Sequence, residues 1–130
     1  MFTVIICLLI AVLLPIILAL STAPVRLKQE GFVDTKTPRV QAAKLQGIGQ
    51  RLVFAQANAW EALAVFLAAL FAANMTGVDI STIMMMAQIF IIARICHAIF
   101  YIADLSPFRS LSFLIGLGSC IWLFVAALKI

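Results

Sequence analysis

The chain has 130 residues, of which 65% are hydrophobic and 11% are charged, with a net charge of +4. A soluble globular domain is nearer half apolar and a quarter charged, and so short a chain has too little interior to hide this much apolar surface from water. The composition therefore excludes a soluble protein and predicts a membrane protein. The three cysteines form no close pair, so neither a metal site nor a disulfide framework is expected.

Four apolar runs are long enough to cross a bilayer, which takes about 20 residues. We expect spans at approximately residues 2–20, 46–73, 80–103 and 108–128. The first run lacks the basic start and the cleavage site of a signal peptide, so we expect a retained helix. Short links follow the second and third runs, which makes neighbouring helices antiparallel. The predicted fold class is all-α: a single domain over residues 1–130, an integral membrane four-helix bundle with up-down helices.

The polar segment from Ser21 to Thr37 contains several helix breakers and predicts a loop. Thr37-Pro38 has the pattern of an N-cap followed by proline at the first helical position. We therefore expect the second helix to begin near Pro38, to run on through Gly47 and Gly49, and to enter the membrane near Arg51.

Positive charge is concentrated between the first and second spans, at Arg26, Lys28, Lys36, Arg39, Lys44 and Arg51. The next link has no lysine or arginine, and the third link has Arg109. The positive-inside rule then places the first and third links in the cytoplasm and both termini outside. The basic segment lacks interleaved aromatic residues, so we expect no nucleic-acid partner. Its expected roles are topology and contact with the anionic lipids of the bilayer.

Two spans carry matched polar stripes, with residues at spacings of three, four and three. The stripes are Arg51, Phe54, Asn58 and Glu61 on the second helix and Arg94, His97, Tyr101 and Asp104 on the third. Such residues share one helix face. Because a charge inside the membrane costs about 2.5 to 3.5 kcal/mol on insertion scales, Glu61 and Arg94 should face the bundle interior and mark a site. The alternative is structural: an ion pair between Glu61 and Arg94 that fixes helix register, with Asn58 bonding between helices.

Arg109 and Ser110 fall in the predicted first turn of the fourth helix, which Ser106-Pro107 should start. A helix start offers free backbone N–H groups and a positive dipole end, which suit an anion. With a guanidinium and a hydroxyl added, the place suits a thiolate: lowering a thiol pKa by about two units requires roughly 2.7 kcal/mol. No cysteine lies near this turn, so the thiol would belong to a ligand.

Three strings resemble motifs of the MAPEG family, the membrane-associated proteins of eicosanoid and glutathione metabolism: RLVFAQANAWE at 51–61, ARICHAIFY at 93–101 and PFRS at 107–110. The resemblance covers most of the chain from Pro38 onward. It implies a homotrimer that binds glutathione between protomers as a co-substrate. It also implies that Arg109 and Ser110 are catalytic, and that Asn58, Glu61, Arg94 and Tyr101 bind glutathione. From the polar stripes we expect Arg51 and His97 to be glutathione-binding residues as well.

The implied reaction is glutathione transfer to a lipophilic electrophile from the bilayer, or peroxide reduction by the same thiolate. The chain departs from eicosanoid-class members at Phe54, where they usually have a second arginine, and at Ala64, where they have a proline. It is more similar to the bacterial branch of the family. We therefore expect a multi-pass protein of a bacterial inner membrane, with a metal-free site open to the cytoplasm.

Two other functions fit four short spans. A small multidrug-type transporter usually has an essential carboxylate in its first helix, whereas the first helix here has no charge. A non-catalytic membrane scaffold would use the buried polar groups only to specify assembly.

Overall fold

The computed structural model describes residues 1–129, which form six helices. They are α1 (Phe2–Leu20), α2 (Ala23–Glu30), α3 (Pro38–Lys44), α4 (Ile48–Met75), α5 (Ile80–Ile102) and α6 (Ser106–Leu128). No strand occurs in this part of the chain. The helices α1, α4, α5 and α6 supply four segments that are long and apolar enough to cross a membrane. The predicted all-α, four-helix membrane bundle is confirmed.

The bundle core lies where these four helices meet. The rings of Phe66 on α4 and Phe90 on α5 stack with their centroids 4.0 Å apart. Ala69, Ala73 and Ala87 are completely buried beside them. Small side chains let helix backbones approach closely, which is how helices associate where lipid removes the hydrophobic driving force. The most extensive helix contact is between α5 and α6.

The prediction of a loop from Ser21 to Thr37 is wrong for the first half of that segment, because the helix α2 follows α1 almost without interruption. Ser21 and Thr22 keep right-handed helical dihedrals, and the Arg26 N–H donates to the Thr22 carbonyl oxygen at 2.9 Å. Pro24 lies in the first turn of α2, where a missing N–H removes no helical hydrogen bond. The helix ends at Gly31, whose φ of +81° gives the left-handed cap that glycine favours.

The prediction that the second helix runs without a break from Pro38 into the membrane is also wrong. The start is as predicted, with Thr37 as the N-cap and Pro38 in the first turn of α3, but α3 ends at Lys44. Leu45 then adopts an extended conformation and is fully buried. Gly47 has φ +58° and ψ −124°, a conformation that residues with a Cβ rarely adopt. The chain therefore turns at Gly47 and α4 begins afresh at Ile48.

Buried Gln41 orders the chain between α2 and α3. Its side chain accepts a hydrogen bond from the Asp34 N–H at 3.0 Å and donates one to the Phe32 carbonyl oxygen at 2.9 Å. The Asp34 carboxylate accepts from the backbone N–H groups of Lys36 and Thr37 and from the Thr37 hydroxyl. Residues 23–44, here called the α2–α3 unit, thus form a defined structure between α1 and α4.

Gly49 lets the first turn of α4 pack closely against this unit. A Cβ at this position would lie 2.9 Å from both Leu45 Cβ and Val25 Cγ1. We expect Gly49→Ala to destabilise the protein by about 1 to 3 kcal/mol, as overpacking does. Gly118→Ala is the matched control, since a Cβ there meets nothing within 4 Å and should stabilise α6 by about 0.5 to 1 kcal/mol. Thermal unfolding in detergent measures both, and an equal response of the two variants would contradict the packing.

Asp34 makes the stability of the α2–α3 unit depend on pH. The hydrogen bond from the Thr37 side chain, aided by the backbone N–H groups of Thr37 and Lys36, lowers the pKa of Asp34 below its ordinary value. Its contribution is therefore present above the unfolded pKa of about 3.9 and is lost as pH falls through the lower folded value. Hydrogen exchange of residues 31–44, corrected for the intrinsic effect of pH, should show protection lost below about pH 4. Asp34→Asn should flatten this dependence and Glu30→Gln should not.

Candidate functional site

A groove runs along the outside of α5, between α4 and α6. Its deep part encloses about 220 Å³ and its outer part, near the start of α6, about 320 Å³. The polar and aromatic lining of the deep part is Asn58, Glu61, Phe90, Arg94 and Phe113, with Cys120. The outer part is lined by Asn58, His97, Tyr101, Arg109, Ser110 and Phe113. Asn58 and Phe113 belong to both, so the two parts are continuous, and seven of the eight predicted site residues lie along one surface.

A third cavity, of about 410 Å³, lies at the opposite end of the bundle between α1, α4 and the start of α5. Although it is larger than either part of the groove taken alone, Asn74 is the only polar side chain in its lining. It therefore offers none of the ionisable side chains that distinguish the groove.

Arg94 forms the floor of the groove. Its side chain is only 3% exposed, and its Nη2 donates to Asn58 Oδ1 at 2.7 Å. Its Nε has no hydrogen-bond partner among residues 1–129. Gly116 on α6 faces this side chain, and a Cβ there would lie 3.5 Å from Arg94 Cδ, at ordinary van der Waals distance.

The alternative of an ion pair between Arg94 and Glu61 is wrong. Within residues 1–129 the only ion pair is between Arg51 and Asp104. The neutral amide of Asn58 holds the guanidinium instead, because the two residues face each other across α4 and α5. Glu61 lies one turn farther along α4, at the exposed edge of the deep cavity.

His97 is buried in the wall of the outer part. It is 3% exposed, and its Nδ1 has no hydrogen-bond partner among the described residues. Its ring meets the Tyr101 ring edge-on at a centroid distance of 5.5 Å and lies 6.3 Å from the Phe113 ring. The imidazole is therefore fixed by aromatic packing and not by hydrogen bonds.

Arg109 reaches the groove through its side chain alone. The prediction of a free backbone N–H at this position is wrong. The Arg109 N–H donates a hydrogen bond to the Leu105 carbonyl oxygen at 3.0 Å. The reason is that Leu105, and not Ser106, is the N-cap, so Arg109 lies at the end of the first turn of α6. Its guanidinium carbon lies 4.5 Å from the centroid of the Tyr101 ring. This cation–π contact sets the guanidinium over the outer part of the groove.

Arg51 does not line the groove. Its Nε donates to the Ile102 carbonyl oxygen at 2.9 Å, and its Nη1 lies 4.0 Å from Asp104 Oδ2. A cation that bonds the last carbonyls of a helix stabilises that end. Arg51 thus ties the start of α4 to the end of α5, and its role in ligand binding stays a prediction.

The α6 side of the deep part, which is lined by Phe113, Leu117 and Cys120, could not be predicted from the sequence. All lie on α6, inside an apolar run whose pattern gives no sign of which face meets the polar stripes. The only available signal was Gly116, since a small residue in a membrane helix often marks a close contact.

The electrostatics of the groove are unbalanced. The guanidinium groups of Arg94 and Arg109 have no carboxylate within 4.0 Å among residues 1–129. Glu61, at the edge, is the only carboxylate in the lining. Because a cation in a low-dielectric site needs a partner, the groove is suited to a ligand with more negative than positive groups.

A search of curated proteins gives no match to this chain. The MAPEG family model, by contrast, matches residues 4–129. This range contains every residue of the groove and all four membrane helices, apart from the first two residues of α1. The chain belongs to the MAPEG family.

Proposed function

We propose that the groove binds glutathione, and that the protein is a membrane-bound glutathione-dependent transferase or peroxidase for lipophilic electrophiles. The observation that carries the proposal is the pair of unneutralised guanidinium groups, Arg94 and Arg109, at the two ends of one groove. Family membership supports glutathione as the anionic ligand.

Glutathione matches the groove group by group. It has two carboxylates, one ammonium and one thiol. Its net negative charge would therefore balance the net positive charge of the groove. In this proposal Arg94 binds a carboxylate of glutathione, and the Glu61 carboxylate at the edge of the deep part binds its ammonium. Asn58 uses its oxygen for Arg94, which leaves its amide N–H groups free for the peptide. Arg–carboxylate bonds are among the stronger hydrogen bonds in proteins.

The thiol then belongs at the outer end, beside Arg109. The guanidinium stabilises the thiolate left when the thiol loses its proton, and the Ser110 hydroxyl can donate a further hydrogen bond. In transfer, the sulfur forms a bond to the electrophilic carbon and the leaving group departs with the electron pair. In peroxide reduction, two glutathione molecules give a disulfide while the peroxide becomes an alcohol and water.

The open side of the groove suits a second copy of the chain. Glu61 is exposed in the protomer although it lies well inside α4, and Trp60 next to it is 45% exposed. A carboxylate turned toward lipid is unfavourable, and a neighbouring protomer would remove it from the acyl chains. A homotrimer, as the family resemblance implies, would complete the site in this way. The basic α2–α3 unit lies between the end of α1 and the start of α4, at the end of the bundle where α6 begins, and by the positive-inside rule we infer that the site opens toward the cytoplasm.

Arg109→Ala should lower turnover of glutathione with a soluble aromatic electrophile by about 100- to 1,000-fold, since one charge-stabilising donor contributes that much. Glu61→Gln should instead weaken glutathione binding in calorimetric titration. Arg39→Ala, an exposed change on α3, is the matched control and should leave both unchanged. Circular dichroism and gel filtration establish that each variant is folded and assembled.

Unchanged turnover in Arg109→Ala would show that Arg109 does not stabilise the thiolate. A folded wild-type protein that binds no glutathione at millimolar concentration would favour a non-catalytic scaffold.

Phe54→Arg should tighten glutathione binding by about tenfold, equivalent to roughly 1.4 kcal/mol. Phe54 is 49% exposed and lies one turn before Asn58 on α4, near the end of the span where a charge is well tolerated. The new guanidinium would restore the second arginine that eicosanoid-class members usually have. Phe54→Leu is the control for loss of the ring. Equal affinity of the two variants in calorimetry would contradict a ligand carboxylate near this turn.

A further inference from the structure

The α2–α3 unit presents a set of cations that the fold and the groove do not use. Lys28 on α2, Lys36 in the turn, and Arg39 and Lys44 on α3 are all exposed; these four residues are here called the basic face. None of them forms an ion pair within residues 1–129. Arg26, by contrast, is half-buried and reaches Gln41 at 3.5 Å.

The two carboxylates of the same unit do not neutralise the basic face. Asp34 is ionised above its lowered pKa, and its oxygens accept hydrogen bonds from Lys36 and Thr37 in the turn. Glu30 lies more than 4.0 Å from every described cation. The unit therefore keeps an excess of positive charge.

Apolar side chains are exposed on the same unit. Leu27, Phe32 and Val40 are each 55% exposed, although the unit has few other large apolar residues. Exposed aromatic and aliphatic groups among lysines and arginines are typical of segments that lie at a membrane interface. Exposed apolar side chains of this kind give no stabilisation to a surface that faces only water.

The unit begins at the height of the lipid headgroups and extends beyond them. Because α2 continues from α1 and has eight residues, it extends about 12 Å beyond the end of α1. The headgroup layer occupies roughly 5 to 8 Å on each side of the hydrocarbon core. Gly49 packs against Val25, and the side chain of Gln29 bonds the backbone of Gln46 in both directions. These contacts hold the unit close to the point where α4 enters the membrane.

We propose that the basic face binds the phosphate groups of anionic lipids in the leaflet on its side of the membrane, with Phe32 inserted between the headgroups. Clusters of four or more lysines and arginines next to a membrane helix are attracted to anionic lipid, and salt screens that attraction. The Gln41 side chain holds the turn that carries Lys36 through its hydrogen bonds to Asp34 and Phe32. The proposal is independent of glutathione binding.

The test is hydrogen exchange of residues 23–44 in the full-length protein, in nanodiscs of phosphatidylcholine alone or mixed with phosphatidylglycerol. We expect exchange to slow several-fold with the anionic lipid, and high salt to abolish the difference. The combined variant Lys28→Gln, Lys36→Gln, Arg39→Gln and Lys44→Gln should show no difference between the discs. The link at residues 76–79, which has no lysine or arginine, is the internal control.

Equal exchange of wild type in the two kinds of disc would overturn the proposal, as would slowing that persists at high salt. The salt series uses wild type alone, so it decides the matter even where the combined variant misfolds. Soluble polyglutamate is the last arm. Stronger protection by polyglutamate in phosphatidylcholine discs than by phosphatidylglycerol would assign the face to an acidic protein and overturn the lipid proposal.

Discussion

The hydrogen bond between Arg94 and Asn58 is the constraint on which the site depends. A guanidinium in the middle of a membrane helix must find acceptors inside the protein, and Asn58 supplies one at 2.7 Å. This bond joins α4 to α5 in the deep part of the groove, where α6 also packs against the arginine at Gly116. Since Asn58 is a neutral partner, the cation is positioned without being neutralised. The same contact thus shapes the groove and leaves its charge available to a ligand.

The deep and outer parts of the groove present different side chains to a ligand. The deep end has Arg94 and Glu61, one cation and one carboxylate too far apart to pair. The outer end has Arg109 held over the Tyr101 ring, beside a hydroxyl and a buried imidazole. A peptide with carboxylates, an ammonium and a thiol can satisfy both ends at once. Arg51 lies outside this arrangement, where it stabilises the end of α5 and so keeps the two polar stripes in register.

Features that depend on residues close together in the chain could be predicted from the sequence. Features that depend on contacts between distant residues could not. Spans and stripes follow from the spacing of residues, so the membrane helices and the shared surface of Asn58, Arg94 and Tyr101 could be predicted. The partner of Arg94 could not, because the choice between Glu61 and Asn58 depends on how α4 is rotated against α5. The break at Gly47 and the helix α2 escaped for a related reason. Buried Leu45 and the close approach at Gly49 favour the turn, and neither contact leaves a periodic pattern in the sequence.

A crystal structure of the protein with glutathione would show whether one ligand satisfies the charges of both parts of the groove. We expect density for glutathione along α5, with a carboxylate within hydrogen-bond distance of Arg94 and the sulfur beside Arg109. Glutathione bound at another surface, with the groove closed or filled by side chains of a neighbouring protomer, would contradict this expectation.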